Sequence, residues 1–260
     1  MRRAFSLRSI RHLRDTIEVL VIRDQKSRYK STAMGIVWAV ASPMLFLLTF
    51  YLLFKVILPL DIPNYAAHLF IGIVVWAWFQ GATSESVTCI VANAGLIAQP
   101  GFPAAALPLA VTNSHLVTFL LTLPVLVVIL WASGSVIGLP ILAMPIILVV
   151  MFVFVLGVAY FVAALNVAFR DMQYIVPIVL QLGYFATPIF YDANTLPEAT
   201  RRVLGFNPML QFIEAFRAIL MRGVWPDWGA LALVFAGSLA GLWAAHGIFR
   251  HASLRFLEEL

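Results

Sequence analysis

Nucleotide hydrolysis, metal catalysis and nucleophilic catalysis each need particular residues at particular spacings, and most of those sets are missing here. The lysines are Lys26, Lys30 and Lys55, and none follows a glycine, so no Gly-Lys-Ser/Thr loop exists to cradle a nucleotide phosphate. ATP hydrolysis by that route is excluded. His12, His68, His115, His246 and His251 lie far apart, with no HExxH and no helical pair at ligand spacing, which argues against a metal site. The single cysteine, Cys89, can form no internal disulfide and reads as a small buried apolar residue. Asp192, Glu198, Glu214 and Asp227 are interleaved with arginines and read as a solvated surface network. A membrane-embedded glycan-modifying enzyme would instead cluster its carboxylates or histidines at one membrane face. The chain therefore reads as non-catalytic.

Charges within long apolar stretches are costly and mark ion or proton paths, so their scarcity argues against an ion-coupled pump. Lys55, at the outer end of an apolar stretch, can snorkel to the interface. Glu85 stands alone in its stretch and can pair with an N-terminal arginine, while Asn113 and His115 suit interhelical hydrogen bonds. Aromatic residues are abundant, among them Tyr51, Phe54, Phe70, Trp76, Trp78, Phe79, Tyr184, Phe185, Phe190 and Tyr191. Two readings stay open for them: interfacial anchors and packing, or a channel lining on which sugar rings stack by their apolar faces.

The elements that would position these residues are membrane helices. The 260 residues are 62% hydrophobic and 11% charged, against about a quarter charged in soluble domains. The fold class is thus an all-α integral membrane protein of about six spans: 34–58, 67–91, 107–131, 141–165, 175–191 and 229–249. The net charge of +5 is no nucleic-acid signature, because about half of the basic residues precede the first span. Ahead of it, Ile10, Leu13, Ile17, Leu20 and Val21 recur at helical spacing beside Arg11, Arg14, Asp15 and Glu18, predicting an amphipathic helix on the membrane surface. Arg23, Lys26, Arg28 and Lys30 follow as a second basic cluster that marks the cytoplasmic entry to the first span. We therefore divide the chain into a segment 1–33 and a membrane domain 34–260, with both termini cytoplasmic by the positive-inside rule. Pro100, Gly101 and Pro103 predict a short helix and a bend in the inner connection 92–106. The run 207–221, with Leu210, Ile213, Phe216, Ile219 and Leu220 on one stripe, predicts helices lying at or dipping into the outer face, as a structural cap or as a gate.

The stretch 22–54 resembles the opening of type-2 ABC transporter permeases that export polysaccharide, O-antigen or teichoic acid. It carries Arg23, Asp24, Lys26, Arg28, Tyr29 and Lys30, then Gly35, Trp38 and Pro43. Further matches are Asn93, Leu96, Ile97, Phe102, Pro103, Leu107 and Pro108, then Asn166 with Arg170 and Asp171, Pro188 with Tyr191, and Asn207, Pro208 and Met209. The resemblance implies a homodimeric channel in the bacterial inner membrane, paired with two copies of a cytoplasmic ATPase. That partner would bind ATP and Mg²⁺; this chain would hold no cofactor. The substrate would be a lipid-linked glycan, with capsule, teichoic acid or a small lipid or drug as the alternatives. By the same resemblance Asn93, Leu96, Ile97, Phe102 and Pro103 would couple to the ATPase, although Gln99 and Ala104 stand where basic residues are expected. Asn207, Pro208, Met209 and Phe212 would belong to an outer gate. Tyr51, Phe54, Phe70, Trp78, Tyr184, Phe185 and Tyr191 are the candidate channel aromatics.

Overall fold

The computed structural model describes residues 7–29, 35, 37–57, 61–135 and 138–253; Lys30 and the extreme termini lie outside these. Every regular element among the described residues is helical, so the chain is an all-α membrane protein. Helix α1, Leu7–Tyr29, is the expected amphipathic segment, longer than its apolar spacing alone suggested. Helix α2, Val37–Tyr51, continues as a π-helical turn over Leu52–Ile57. Pro43 sits inside α2, where it cannot return a backbone N–H to the Ala39 carbonyl. Helix α3, Tyr65–Thr88, leads through a short 3₁₀ turn to α4, Ala94–Ile97, and then to α5, Ala106–Ala132. A 3₁₀ turn at Leu139–Ala143 opens α6, Met144–Ala168. Next come α7, Met172–Ala186, α8, Glu198–Leu204, α9, Pro208–Arg217, and α10, Trp228–Ser253.

Five segments are long and apolar enough to cross a bilayer: Val37–Ile57, Tyr65–Thr88, Ala106–Ala132, Leu139–Ala168 and Trp228–His251. The fifth apolar segment expected from sequence, 175–191, is present as α7 with earlier bounds: it has 15 residues, about 22 Å at 1.5 Å per residue, and stops at Ala186. Thr187 turns to an extended backbone, and Pro188 follows. The polar stretch beyond it returns into the bundle as α9.

Helix α3 forms the centre. Leu69, Phe70, Ile71 and Ala82 are fully buried, whereas most of α2 and α10 is uncovered. One apolar core surrounds α3 and joins α5, α6, α7 and α9 to it. A second core gathers Leu20 of α1, Cys89 and Ile90, Ala106 and Leu107 of α5, Tyr160 and Ala164 of α6, and Phe249 of α10. It marks one end of the bundle, called the basic end below. Helices α6 and α10 approach closely at Gly157, where a Cβ would lie 3.2 Å from the Leu242 backbone nitrogen, the small-residue contact that membrane helices favour.

Candidate functional site

At the basic end α1 docks on the bundle through polar contacts. Arg28 bonds by Nε to Asp24 one turn earlier at 2.8 Å and by its Nη2 to the Glu85 carboxylate of α3. His115 of α5 meets the same Glu85 oxygen at 2.8 Å, and Gln25 donates to the Ser114 carbonyl at 2.8 Å. Burial pulls the Arg28 guanidinium down, but Glu85 and Asp24 outweigh it and hold its pKa above the ordinary value. Arg28 is therefore charged at every physiological pH. Gly81 leaves room for the His115 ring, since a Cβ there would lie 2.4 Å from it. The expected pairing of Glu85 with an N-terminal arginine is present, and its partner is Arg28.

The proposed coupling segment lies beside this cluster. Asn93 accepts from Arg23 at 2.9 Å and donates to the Cys89 carbonyl, which ties α1 to the turn that begins the inner connection. Leu96, Ile97 and Phe102 rest half-buried on the second core, and Pro103 starts the turn into α5. Between them Gly95 and the stretch 98–101 are exposed, with Gly101 at φ +84° reversing the chain. Lys26 is exposed and faces none of these contacts.

The aromatic residues divide into two groups. Phe70 and Trp78 are 0% and 2% exposed inside the protomer. As channel lining they are corrected, because the protomer's own helices cover them. Tyr51, Phe54 and Tyr191 are half-buried and Phe185 is exposed, whereas Tyr184 is buried in the core beside them; Phe46 and Phe50, which the sequence reading passed over, extend Phe54 into a row. Phe46, Phe50 and Phe54 stack along α2 with centroids 6.3 Å apart. Phe190 joins this row to α7, lying 4.3 Å from Phe50, 5.0 Å from Tyr184 and 6.0 Å from Phe185. The signal was available, since Phe46, Phe50 and Phe54 recur every four residues on one helical stripe. Such a row offers apolar ring faces to a ligand without fixing its sequence of hydrogen-bonding groups.

The break after α7 carries the least expected feature. Arg217 of α9 is 2% exposed and donates to the Pro188 carbonyl at 2.9 Å and to the His68 and Ile189 carbonyls at 3.1 Å. Glu214 pairs with it at 3.0 Å and with Arg222 at 2.9 Å. The expected solvated network is thus corrected for Arg217 and Glu214; Glu198 and Arg202 do form an exposed pair. The reason is physical: an interrupted helix frees carbonyls that a low-dielectric interior must satisfy, and one guanidinium has enough donors for several. Gly72 allows the approach, as a Cβ there would lie 3.0 Å from Ile189 and 3.4 Å from Arg217. Asn207 caps α9 by accepting from the Met209 N–H at 3.0 Å and donates to Thr187 at 2.9 Å. Pro208 opens α9, while Met209 and Phe212 are buried in the central core, so no open surface presents either of them.

Comparison of the sequence with known proteins finds relatives along nearly the whole chain. The chain is 32% identical over 256 residues to the O-antigen export system permease protein RfbA of Myxococcus xanthus, covering 98% of both. It is 32% identical over 253 residues to an RfbA permease of Klebsiella pneumoniae, covering 96% of both. The polysialic acid transport protein KpsM of Escherichia coli is more distant, at 23% over 242 residues, with 90% of this chain and 92% of that protein covered. Residues 16–221 match the model of the ABC-2 type transporter, the family to which this chain belongs.

Proposed function

We propose that the chain is the transmembrane subunit of an exporter that moves a lipid-linked polysaccharide of the O-antigen kind out of the cytoplasm. Two copies would form the channel in a bacterial inner membrane, and two copies of a separate ATPase would bind ATP and Mg²⁺ and drive it. The observation that carries this reading is the near full-length likeness to the O-antigen permeases. The missing phosphate loop supports a separate ATPase. Placing the basic end inside agrees with the positive-inside rule for α1 and for Arg250 and His251 at the end of α10.

The geometry supplies a route for coupling. The segment 94–102 is anchored by Leu96, Ile97 and Phe102 to the core that also holds α1 and the end of α10. Force applied to its exposed tip reaches α5 through Pro103 and α1 through Asn93 and Arg23. Helix α7 buries only Leu180 and Tyr184, and α2 leaves Trp38, Leu45, Phe46, Leu48 and Leu52 uncovered, so both helices have surface for a second copy. The stacked row from Phe46 to Phe54 would then border the path of the polymer, where aromatic faces let successive sugars slide. Helices α8 and α9, with Asn207 and Pro208 between them, would close the outer side. A capsule-type polymer is the second reading, favoured by the match to KpsM.

The test is deletion of this gene with the ATPase gene left intact. The expected outcome is loss of surface glycan with lipid-linked polymer retained in the cytoplasm, and the retained polymer names the substrate. Normal surface glycan with no retained polymer would overturn the reading.

A further inference from the structure

At the end of the bundle opposite α1, a cleft of about 480 Å³ lies between the π-helical end of α2, the turn leading into α3 and the end of α5. Its size falls within the range of small-ligand sites, about 300–1,000 Å³. Tyr51 and Tyr65 set two rings 6.2 Å apart. Tyr65 is 3% exposed and fixed by a hydrogen bond from its hydroxyl to the Phe190 carbonyl, so that side of the cleft is rigid. Lys55, Asp61, Asn64 and Ser133 add an ammonium, a carboxylate, a carboxamide and a hydroxyl.

Among the described residues, the side chains of Lys55, Asp61 and Asn64 make no hydrogen bond or ion pair. The lysine and the aspartate border one cavity and yet do not pair with each other. Asn64 precedes α3 at φ 51°, and its carboxamide does not cap the helix. The Ser133 hydroxyl donates to the Ile129 carbonyl, which leaves its lone pairs to accept. The cleft thus presents both donors and acceptors beside two aromatic rings, with its one positive and one negative charge in balance.

We infer that this cleft binds one or two residues of a neutral, hydroxyl-rich glycan as it leaves the bundle. Hydroxyls both donate and accept, so they satisfy Asp61, Lys55 and Asn64 together, while the apolar face of a sugar ring meets Tyr51. A polyanionic chain is disfavoured, because Lys55 and Asp61 together give it no net attraction while its own charges must give up hydration to enter the cleft. Tyr51 and Lys55 each follow a phenylalanine of the row, Phe50 and Phe54, so the cleft lies beside the Phe54 end of that row on the neighbouring face of α2 and its π-helical end. The inference rests on the export reading above and adds a polymer class to it.

The experiment uses the full-length permease with its ATPase in lipid nanodiscs. The probes are neutral oligosaccharides of two to four residues cut from the host's own surface glycan, with oligosialic acid as the polyanionic control, and binding is followed by saturation-transfer NMR. The neutral probe is expected to bind, oligosialic acid is not, and Asp61→Ala should weaken the neutral probe about tenfold through the loss of charged hydrogen bonds. Asp61 is exposed, so its truncation leaves the fold intact; Asn64→Ala is the second variant and should act in the same direction. Unchanged binding in both variants, or equal binding of oligosialic acid, overturns the subsite. Failure of the export reading is seen separately: the wild-type gene would then not restore surface glycan to the deletion strain.

Discussion

Arg217 shows how one residue can hold a membrane fold together. A guanidinium removed from water is tolerated only where hydrogen bonds replace its hydration. Here Nη1 serves Pro188 and Glu214 while Nη2 serves His68 and Ile189. Arg217→Met removes those donors and strands both Glu214 and the carbonyls of the break. The expected cost is about 3–5 kcal/mol, in the range for breaking a buried ion pair. It would be read as a large fall in the thermal midpoint of the detergent-solubilised protein and in its membrane abundance. Arg217→Lys should recover less than half of the loss, because one ammonium cannot reach carbonyls on α3 and on the α7 break together. A stable Arg217→Met protein would show that water serves those carbonyls. The composition around Arg217 did not reveal this role. Its i−3 partner Glu214 and the nearby Arg222 look like a solvated helix face, and only the fold brings residues 68, 188 and 189 to the same guanidinium.

At the scale of elements, α1 is held by a mixed interface. Leu20 enters the second core, and Arg23, Gln25 and Arg28 reach Asn93, α5 and α3. Replacing Glu85 with glutamine should loosen α1 by about 1–3 kcal/mol, the worth of hydrogen bonds to a charged group. Trypsin should then cut faster at Arg23 and Lys26 while the midpoint of the remaining bundle changes little. An unchanged cleavage rate would mean that Leu20 and its apolar neighbours hold α1 by themselves. The apolar helices were legible because hydrophobic runs of 20 or more residues admit few other structures in a bilayer. The end of α7 was not. The run up to Tyr191 stays apolar, and what halts the helix is a proline together with the remote Arg217 that accommodates the break. The π-helical ends at Leu52–Ile57 and Ala218–Arg222 carry no periodic signature of their own, and in the sequence they read as plain helix.

Across the whole molecule the two cores divide the work. The central core fixes α3, α6 and α9, and the smaller one at the basic end binds α1, the inner connection and the tail of α10. Leu96→Asp would place a charge against the smaller core and release the segment 94–102. ATP hydrolysis by the assembled transporter should continue while surface glycan drops severalfold; normal export in that strain would remove the segment from the coupling path. Of the candidate site, the basic approach to α2 and the bend around Gly101 could be read from charge and proline placement. The split of the aromatics between interior and surface could not, since Phe70 and Phe54 both lie in apolar runs and differ only in which neighbour covers them. The contacts of Arg217 also set an order of biogenesis. Its carbonyl partners come from a helix made about 150 residues earlier and from a break made about 30 residues earlier, as the contact separations of 149 and 28–29 show. A ribosome-bound chain that ends before residue 217 therefore has α7 in place with its open carbonyls unsheathed. Helix α9 must then fold back against α3 and the break after α7 with the last span, Trp228–His251, still to follow in the chain, which makes the locking of Arg217 between the earlier spans and the last one a point where quality control can intervene.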